Sequence, residues 1–504
     1  MTARLAGSWI GYHARASPDR PALQDLTGGH RLSYAELDDR IGRAAGALAG
    51  RFGVRPGDRI AVLSRNCSQA FEVMYACARL GAIFVPLNVR LSDPELDTLA
   101  GDAAPALLVG EHDLLGRDVA ADRPRLSWED GYEPAISSSE PADPVLIDPD
   151  DPWVIIYTSG TTGRPKGVLV THAGSDATML AGVMGAGVTR DSVCLAALPV
   201  WHVAGLNLFA NPTLFAGGTV LIMRAFDPEL ALDLLSREED PVTHFTGVPA
   251  NYQFMQALPQ FHQAAFPRLV ATVGGAPVPA ALIEDWGRRG VTLRTIYGIS
   301  EAGAAVTITP PGQAATGPGD VGIPVWHLQC RVTMGDQACP PGEPGELHIA
   351  GASVTPGYWG RPAETAKAIE DGWLRTGDVA AIAADGRVRI IDRIKDMYIS
   401  GGENVYPVEI EEVLYQHPAV AEAAVVGVPD QRWGETGAAW LVLTAGTQAG
   451  PDDLRAWART RLATFKVPRD VHIVDALPHN ATGKILKGEL RRRSATAVRH
   501  DRSQ

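Results

Sequence analysis

The chain has 504 residues, 45% of them hydrophobic and 20% charged, which excludes a disordered protein and is too much for a single ordinary core. A formal net charge of −13 excludes a basic nucleic-acid-binding surface, so an anionic substrate would need a local basic pocket in an acidic protein. The cysteines, Cys67, Cys77, Cys194, Cys330 and Cys339, have no C-x-x-C spacing, so neither a disulfide framework nor a zinc site is expected. The N-terminus lacks the apolar core of a signal peptide, and no apolar run reaches the ~18 residues that span a bilayer. The C-terminal Arg-Ser-Gln is no peroxisomal or lipidation signal. A cytoplasmic protein with no integral membrane segment is the expectation.

Ser33-Tyr-Ala-Glu36 has the spacing of a capping box, and Leu37, Ile41, Ala44, Ala45 and Leu48 recur behind it at helical intervals. A turn at 55–58, a strand at 60–63, a helix over 68–80 and strands at 81–85 and 106–109 follow. This alternation predicts a parallel α/β sheet with helices on its faces. Residues 111–150, rich in Asp, Ser and Pro, read as a loop-rich connection. Strands at 153–157, 194–198, 218–223 and 269–273 and a helix at 228–236 resume the rhythm. Gly and Pro become dense over 310–346, as in a small β-rich subdomain with strands at 346–349 and 388–391. Beyond Lys395 a helix at 408–417, strands at 420–428 and 437–443, a helix at 452–462 and a strand at 471–474 form a compact α+β unit.

The chemistry is densest in Thr158-Ser-Gly-Thr-Thr-Gly-Arg-Pro-Lys-Gly167, which follows the strand at 153–157. Gly160, Gly163 and Gly167 let the backbone approach a ligand closely. The hydroxyls of Thr158, Ser159, Thr161 and Thr162 add donors, and Arg164 and Lys166 add charge, a combination suited to a polyphosphate. The loop is not the usual G-x-x-x-x-G-K-[ST] nucleotide loop. Counting from Gly160, Pro165 stands where the second glycine belongs and Gly167 where the Ser/Thr belongs.

Five further stretches carry candidate chemistry. Gly274-Gly-Ala-Pro-Val278 offers bare backbone to a flat group. In Tyr297-Gly-Ile-Ser-Glu301, an adenine could stack on Tyr297, Ser300 could reach a phosphate oxygen, and Glu301 could hold Mg²⁺. Asp378, ending Trp373-Leu-Arg-Thr-Gly-Asp378, suits a ribose diol. Arg393 and Lys395 fall where domains join, and Lys484 sits on the Gly-bearing loop Asn480-Ala-Thr-Gly-Lys-Ile-Leu486. Each stretch has a plain structural reading on its own: a turn, a cap, a solvated lysine or, for His202, a core histidine. Their joint occurrence in order outweighs it.

Together they resemble the adenylate-forming acyl-CoA synthetases, whose relatives include coumarate-CoA, feruloyl-CoA and fatty-acyl-CoA ligases and luciferases. The resemblance rests on Tyr157-Thr-Ser-Gly-Thr-Thr-Gly-Arg-Pro-Lys-Gly167, Tyr297-Gly-Ile-Ser-Glu301, Thr376-Gly-Asp378, Asp392-Arg-Ile-Lys-Asp396, Ser400-Gly-Gly-Glu-Asn-Val-Tyr-Pro407 and Gly483-Lys484. It implies that a carboxylate attacks the α-phosphate of ATP, giving acyl-AMP and pyrophosphate, and that the thiol of CoA then takes the acyl group. The implied fold is α/β: a large N-terminal domain, 1–394, of parallel α/β sheets plus a small β-rich subdomain, followed by a small mobile α+β C-terminal domain, 395–504.

By the same resemblance, Thr158, Ser159, Gly160, Thr161, Thr162 and Lys166 hold the β- and γ-phosphates. Gly275, Ala276 and Pro277 sandwich the adenine with Tyr297, and Gly298 is counted with the cofactor-binding residues. Ser300 contacts the α-phosphate, Glu301 the Mg²⁺, and Asp378 with Arg393 the ribose. Lys484 bridges the acyl carboxylate and the α-phosphate, Lys395 is the hinge, and Gly401 and Gly402 line the pantetheine tunnel. His202, counted with the catalytic residues, also bounds an acyl pocket with Val203, Gly205, Val248, Gly274, Gly298 and Ala302. That pocket is apolar, as suits an aromatic or a medium-to-long aliphatic acid.

Two departures from the family pattern stand out: Ser300 where Thr is usual, and Thr295-Ile296 where many members have Gln-Gly. The small-molecule partners are thus a carboxylic acid, ATP and CoA, with a homodimer left open. The alternatives are a stand-alone adenylation enzyme that loads a carrier-protein thiol, a luciferase-like monooxygenase, and a non-enzymatic binding protein.

Overall fold

The computed structural model describes residues 4–5, 8–158, 165–400, 403–430, 433–479 and 485–501. Ser33 caps the helix Tyr34–Phe52 as its spacing predicts: its hydroxyl accepts from the Glu36 N–H, and the Glu36 carboxylate accepts from the Ser33 N–H at 2.8 Å. The helix buries Leu37, Ile41, Ala44, Ala45 and Leu48 and stops at Gly53, whose φ of 69° is the left-handed cap that glycine accepts without strain. Helix Ser68–Leu80 is buried nearly all round because it packs between two sheets.

The first sheet has six strands in the order Lys166–Thr171, Pro152–Thr158, Ile83–Pro86, Arg59–Leu63, Leu107–Gly110 and Arg125–Ser127. The second has nine: Ile323–Pro324, Ala304–Ile308, Leu293–Ile299, Val270–Gly274, His244–Gly247, Val193–Ala196, Thr219–Ile222, Pro21–Asp25 and Arg31–Ser33. Both interiors are parallel. Antiparallel strands close the edges: Lys166–Thr171 on the first sheet, and Ala304–Ile308, Ile323–Pro324 and Arg31–Ser33 on the second. Among the described residues no helix is long and apolar enough to cross a membrane.

Residues 111–150 correct the loop-rich reading. They hold strand Arg125–Ser127, a π-helical turn Trp128–Tyr132 and helix Glu133–Ser137. Trp128, Tyr132, Ala135 and Ile136 are buried. Elements of three to five residues are too short to show a period, so only tertiary packing identifies them.

The β-rich subdomain is an antiparallel sheet built on Leu328–Met334, Gly345–Gly351, Trp373–Ile382 and Val388–Arg393. The chain then forms a separate sheet from Glu403–Val405, Tyr398–Ser400, Gly434–Leu443 and Val420–Asp430, with Asp470–Ile473 added in parallel. Among the described residues, its apolar clusters, around Ile410, Val425, Leu441 and Leu454 on one face and Val426, Trp440 and Leu490 on the other, draw only on residues from Tyr398 onward.

His244 lies inside the nine-stranded sheet, where burial lowers its pKa from 6.5 to about 4. The folded protein keeps this imidazole neutral while the unfolded chain protonates it near 6.5, so its contribution to stability is present above that pH and lost as pH falls towards 4. The unfolding midpoint of His244→Gln is therefore expected to fall less between pH 6.5 and 4 than that of the unaltered protein. Parallel midpoint curves would contradict this.

Candidate active site

In open parallel sheets, the carboxyl ends of the strands bound the binding crevice. Here those ends carry the segments singled out from sequence. Val248 follows strand His244–Gly247, Gly275 to Pro277 follow Val270–Gly274, and Ser300 and Glu301 follow Leu293–Ile299. Gly275 has a φ of 79°, and a Cβ there would lie 3.4 Å from Val248 Cγ1, so the two residues share one wall.

His202 lies beyond strand Val193–Ala196 and opens the short helix Val203–Asn207. Asn66 holds the segment before it: the amide donates to the Leu198 carbonyl at 2.9 Å and the Met223 carbonyl at 3.0 Å, and Oδ1 accepts from Val200 N–H at 2.9 Å. Val203, Gly205 and Ala302 are buried. A Cβ on Gly205 would stand 2.1 Å from the Pro199 carbonyl, on Gly274 2.2 Å from the Ile296 carbonyl, and on Gly298 1.7 Å from the Ala304 carbonyl. Close backbone approach thus requires glycine at these positions, at Gly298 within the irregular pairing of Leu293–Ile299 with Ala304–Ile308. Of the atypical pair Thr295-Ile296, Thr295 turns its hydroxyl to Thr309, 2.6 Å away, whereas Ile296 borders a small apolar cavity with Asn207, Phe209 and Ala305.

Tyr297, Asp378 and Arg393 come together from two sheets. The Tyr297 hydroxyl donates to Asp378 Oδ2 at 2.5 Å, and Arg393 Nε lies 2.9 Å from Oδ1. Asp378 and Arg393 face each other across the paired strands Trp373–Ile382 and Val388–Arg393. Burial and the Asp378 charge push the Tyr297 phenol well above its ordinary pKa, so it stays a donor.

Four residues further on, Glu301 joins a second group. Its Oε1 accepts from the Tyr358 hydroxyl at 3.1 Å. The Lys166 ammonium sits 4.9 Å from the centroid of the Tyr358 ring and 2.5 Å from Glu364 Oε2. Ser300, buried, begins the turn Ser300–Ala302 that presents Glu301. Among the described residues no group of three or more His, Cys, Asp or Glu side chains could hold a metal ion. A single carboxylate fits Mg²⁺, which binds through one or two carboxylates together with substrate phosphates and water.

At the junction with the last unit, Lys395 is exposed, and its carbonyl accepts from Arg491 Nη2 at 3.2 Å. Arg491 also pairs with Asp396 at 2.7 Å, and Asp392 Oδ2 accepts from Val408 N–H at 3.1 Å. Lys487 pairs with Glu411 at 2.8 Å. Burial acts to lower the Lys487 pKa, but Glu411, Asp392 and Asp396 outweigh it and hold the ammonium above its ordinary value.

Thr158 ends strand Pro152–Thr158 opposite Lys166, so both stems of the phosphate-type loop are placed. Ser159, Gly160, Thr161 and Thr162 lie outside the described residues, as do Gly401, Gly402 and Lys484. Sequence reasoning missed Tyr358, Glu364 and Asp102. The last accepts from the Tyr157 hydroxyl at 2.8 Å and pairs with Arg361. None of the three stands in a motif with recognisable chemistry of its own.

The family model described as AMP-binding enzyme matches residues 11–359, and that of the AMP-binding enzyme C-terminal domain matches residues 409–484. A feruloyl-CoA synthase from Amycolatopsis sp. is 42% identical over 97% of this chain and 98% of its own length. The fatty acid–[acyl-carrier-protein] ligase ScoC from Streptomyces coeruleorubidus is 37% identical over 96% of this chain and 95% of its own. The solved structure of ATP-bound MatB from Rhodopseudomonas palustris superposes with a TM-score of 0.88 at 32% identity, covering 97% of this chain and 99% of that one. With both family models matched and such relatives aligned along nearly its whole length, the chain belongs to the AMP-binding enzymes.

Proposed function

We propose that this acyl-CoA ligase activates an aromatic acid of the hydroxycinnamate type as acyl-AMP, at the crevice between Tyr297 and Glu301, and then passes the acyl group to CoA. The observation that carries the site reading is that this five-residue stretch joins two side-chain clusters: Tyr297 to Asp378 and Arg393, and Glu301 to Tyr358 and Lys166. The first suits a nucleoside and the second its phosphates. Support for the acid class comes from the feruloyl-CoA synthase at 42% identity and from the apolar residues around Val203 and Ala302.

In this reading, Tyr297 and the Gly275 to Pro277 backbone enclose the adenine. Asp378 Oδ1 and Oδ2 each keep a second lone pair for a ribose hydroxyl, and Arg393 holds the carboxylate in place. Lys166 and the hydroxyl-bearing loop meet the β- and γ-phosphates, and Ser300 meets the α-phosphate. Mg²⁺, held by Glu301, would supply charge neutralisation on the phosphates. The acid enters past His202 towards Ala302, and Lys484 approaches from the C-terminal unit. No side chain forms a covalent bond, so the rate enhancement comes from positioning and electrostatics. The mobile unit is taken to be 395–504, swinging about Lys395.

Transfer to a carrier-protein thiol, as the name of ScoC describes, is the less favoured reading because the feruloyl-CoA synthases are more similar to this chain. Pyrophosphate release with acetate, malonate, octanoate, palmitate, benzoate, coumarate and ferulate, each with and without CoA, tests the acid class. Highest kcat/KM on coumarate or ferulate is expected, and a maximum on palmitate would overturn the aromatic assignment. Asp378→Ala is expected to raise the KM for ATP by about 10- to 100-fold, the loss typical of a hydrogen bond to a charged group. An unchanged KM would remove Asp378 from the ribose site.

A further inference from the structure

The segment Thr355-Pro-Gly-Tyr-Trp-Gly-Arg361 straps the phosphate-type loop to the Glu301 turn. Trp359 N–H donates to the Gly167 carbonyl at 2.7 Å, Leu169 N–H to the Gly357 carbonyl at 3.2 Å, and Thr355 N–H to the Glu301 carbonyl at 2.7 Å. Trp359 Nε1 donates to the Asp102 carbonyl at 3.3 Å, and Arg361 pairs with the Asp102 carboxylate, which also receives the Tyr157 hydroxyl. Both stems of the loop are thus fixed by contacts that do not involve the Tyr358 side chain. That side chain does something separate. Its ring faces the Lys166 ammonium, and its hydroxyl donates to Glu301.

We propose that Tyr358 is a positioning residue that sets Glu301 and Lys166 relative to one another, so that the metal carboxylate and the phosphate cation are presented as one unit. This rests on the roles given to those two residues above. The hydroxyl holds one oxygen of Glu301 and so orients the other. The ring adds a cation–π contact to Lys166, while Glu364 balances its charge from the other side. Without the hydroxyl, Glu301 loses the donor that fixes one of its oxygens, while Lys166 keeps its pair with Glu364.

The test is equilibrium binding, read by calorimetry with no acid and no turnover. ATP affinity is measured with magnesium and in EDTA for the unaltered protein, Tyr358→Phe, Tyr358→Leu and Glu301→Gln. Tyr358→Phe keeps the ring and the backbone strap, so ATP affinity in EDTA is expected within about twofold of the unaltered value, while the gain on adding magnesium shrinks about tenfold. Tyr358→Leu is expected to lower affinity in EDTA as well, about fivefold, through loss of the ring contact. A purely structural role would lower the unfolding midpoint and leave the magnesium gain untouched. Full magnesium gain in Tyr358→Phe, with the gain lost in Glu301→Gln, would overturn the proposal alone. A gain retained in Glu301→Gln would overturn the Glu301 reading beneath it. Should Tyr358→Leu fail to fold, the Phe variant still decides.

Discussion

Lys484→Ala is expected to slow acyl-adenylate formation by about 10²- to 10³-fold, the loss seen when one donor aimed at transition-state charge is removed. Negative charge gathers between the attacking carboxylate and the α-phosphate as the new bond forms. An ammonium held there stabilises the transition state more than the ground state, so its loss falls on the rate rather than on ATP binding. Thiolation of supplied acyl-AMP needs no such charge, and the variant should carry it out at close to the unaltered rate. Stopped-flow assays of the two half-reactions, run separately, measure the split. Equal loss in both would contradict the role given to Lys484.

The second large effect concerns stability. Lys487 is 16% exposed and pairs with Glu411, itself 8% exposed. Asp392 and Asp396, on the stretch that joins the two units, add to the negative charge around it. Burial raises the Glu411 pKa and Lys487 opposes that shift, so removing the lysine leaves a buried carboxylate without its counter-ion. Lys487→Met is expected to destabilise the C-terminal unit by about 3–5 kcal/mol, as breaking one side of a buried pair does. The amides of strand Gly434–Leu443 should then exchange with solvent much faster, while those of Val270–Gly274 do not. The double variant Lys487→Met/Glu411→Gln should recover part of the loss, because glutamine removes the unpaired charge and keeps an oxygen for the Val425 N–H, which Glu411 Oε1 accepts at 2.6 Å. Unchanged exchange in Lys487→Met would show the pair to be incidental.

Much of this architecture was legible in the sequence where the period was long and the caps were explicit. Helices Tyr34–Phe52 and Ser68–Leu80 and the parallel strands Arg59–Leu63, Ile83–Pro86, Leu107–Gly110, Pro152–Thr158, Val193–Ala196, Thr219–Ile222 and Val270–Gly274 fall where the spacing puts them, whereas the parallel strands Pro21–Asp25, His244–Gly247 and Leu293–Ile299 were not read from the sequence. Residues 111–150 were not legible, since Trp128 and Tyr132 are buried by neighbours distant in sequence rather than by a local pattern. The antiparallel edge strand Lys166–Thr171 was equally hidden, for it follows a loop whose composition speaks of ligand binding and says nothing of strand direction. Within the site, Tyr297, Glu301, Asp378 and Arg393 announced themselves by chemistry. Tyr358, Glu364 and Asp102 contact Glu301, Lys166 and Tyr157, and such partners show only when distant segments meet. Gly298 carries a further lesson: its place beside the Ala304 carbonyl gives it a backbone reason to be glycine, separate from any influence on pocket size.

A two-step reaction through acyl-AMP is tested most directly by a rapid-quench experiment with ATP, magnesium, ferulate and enzyme in excess, without CoA and then with it. Stoichiometric feruloyl-AMP and pyrophosphate should accumulate in the absence of CoA, and the adenylate should vanish into feruloyl-CoA and AMP when CoA is added. Formation of ADP and phosphate, or an adenylate that persists in the presence of CoA, would contradict this route.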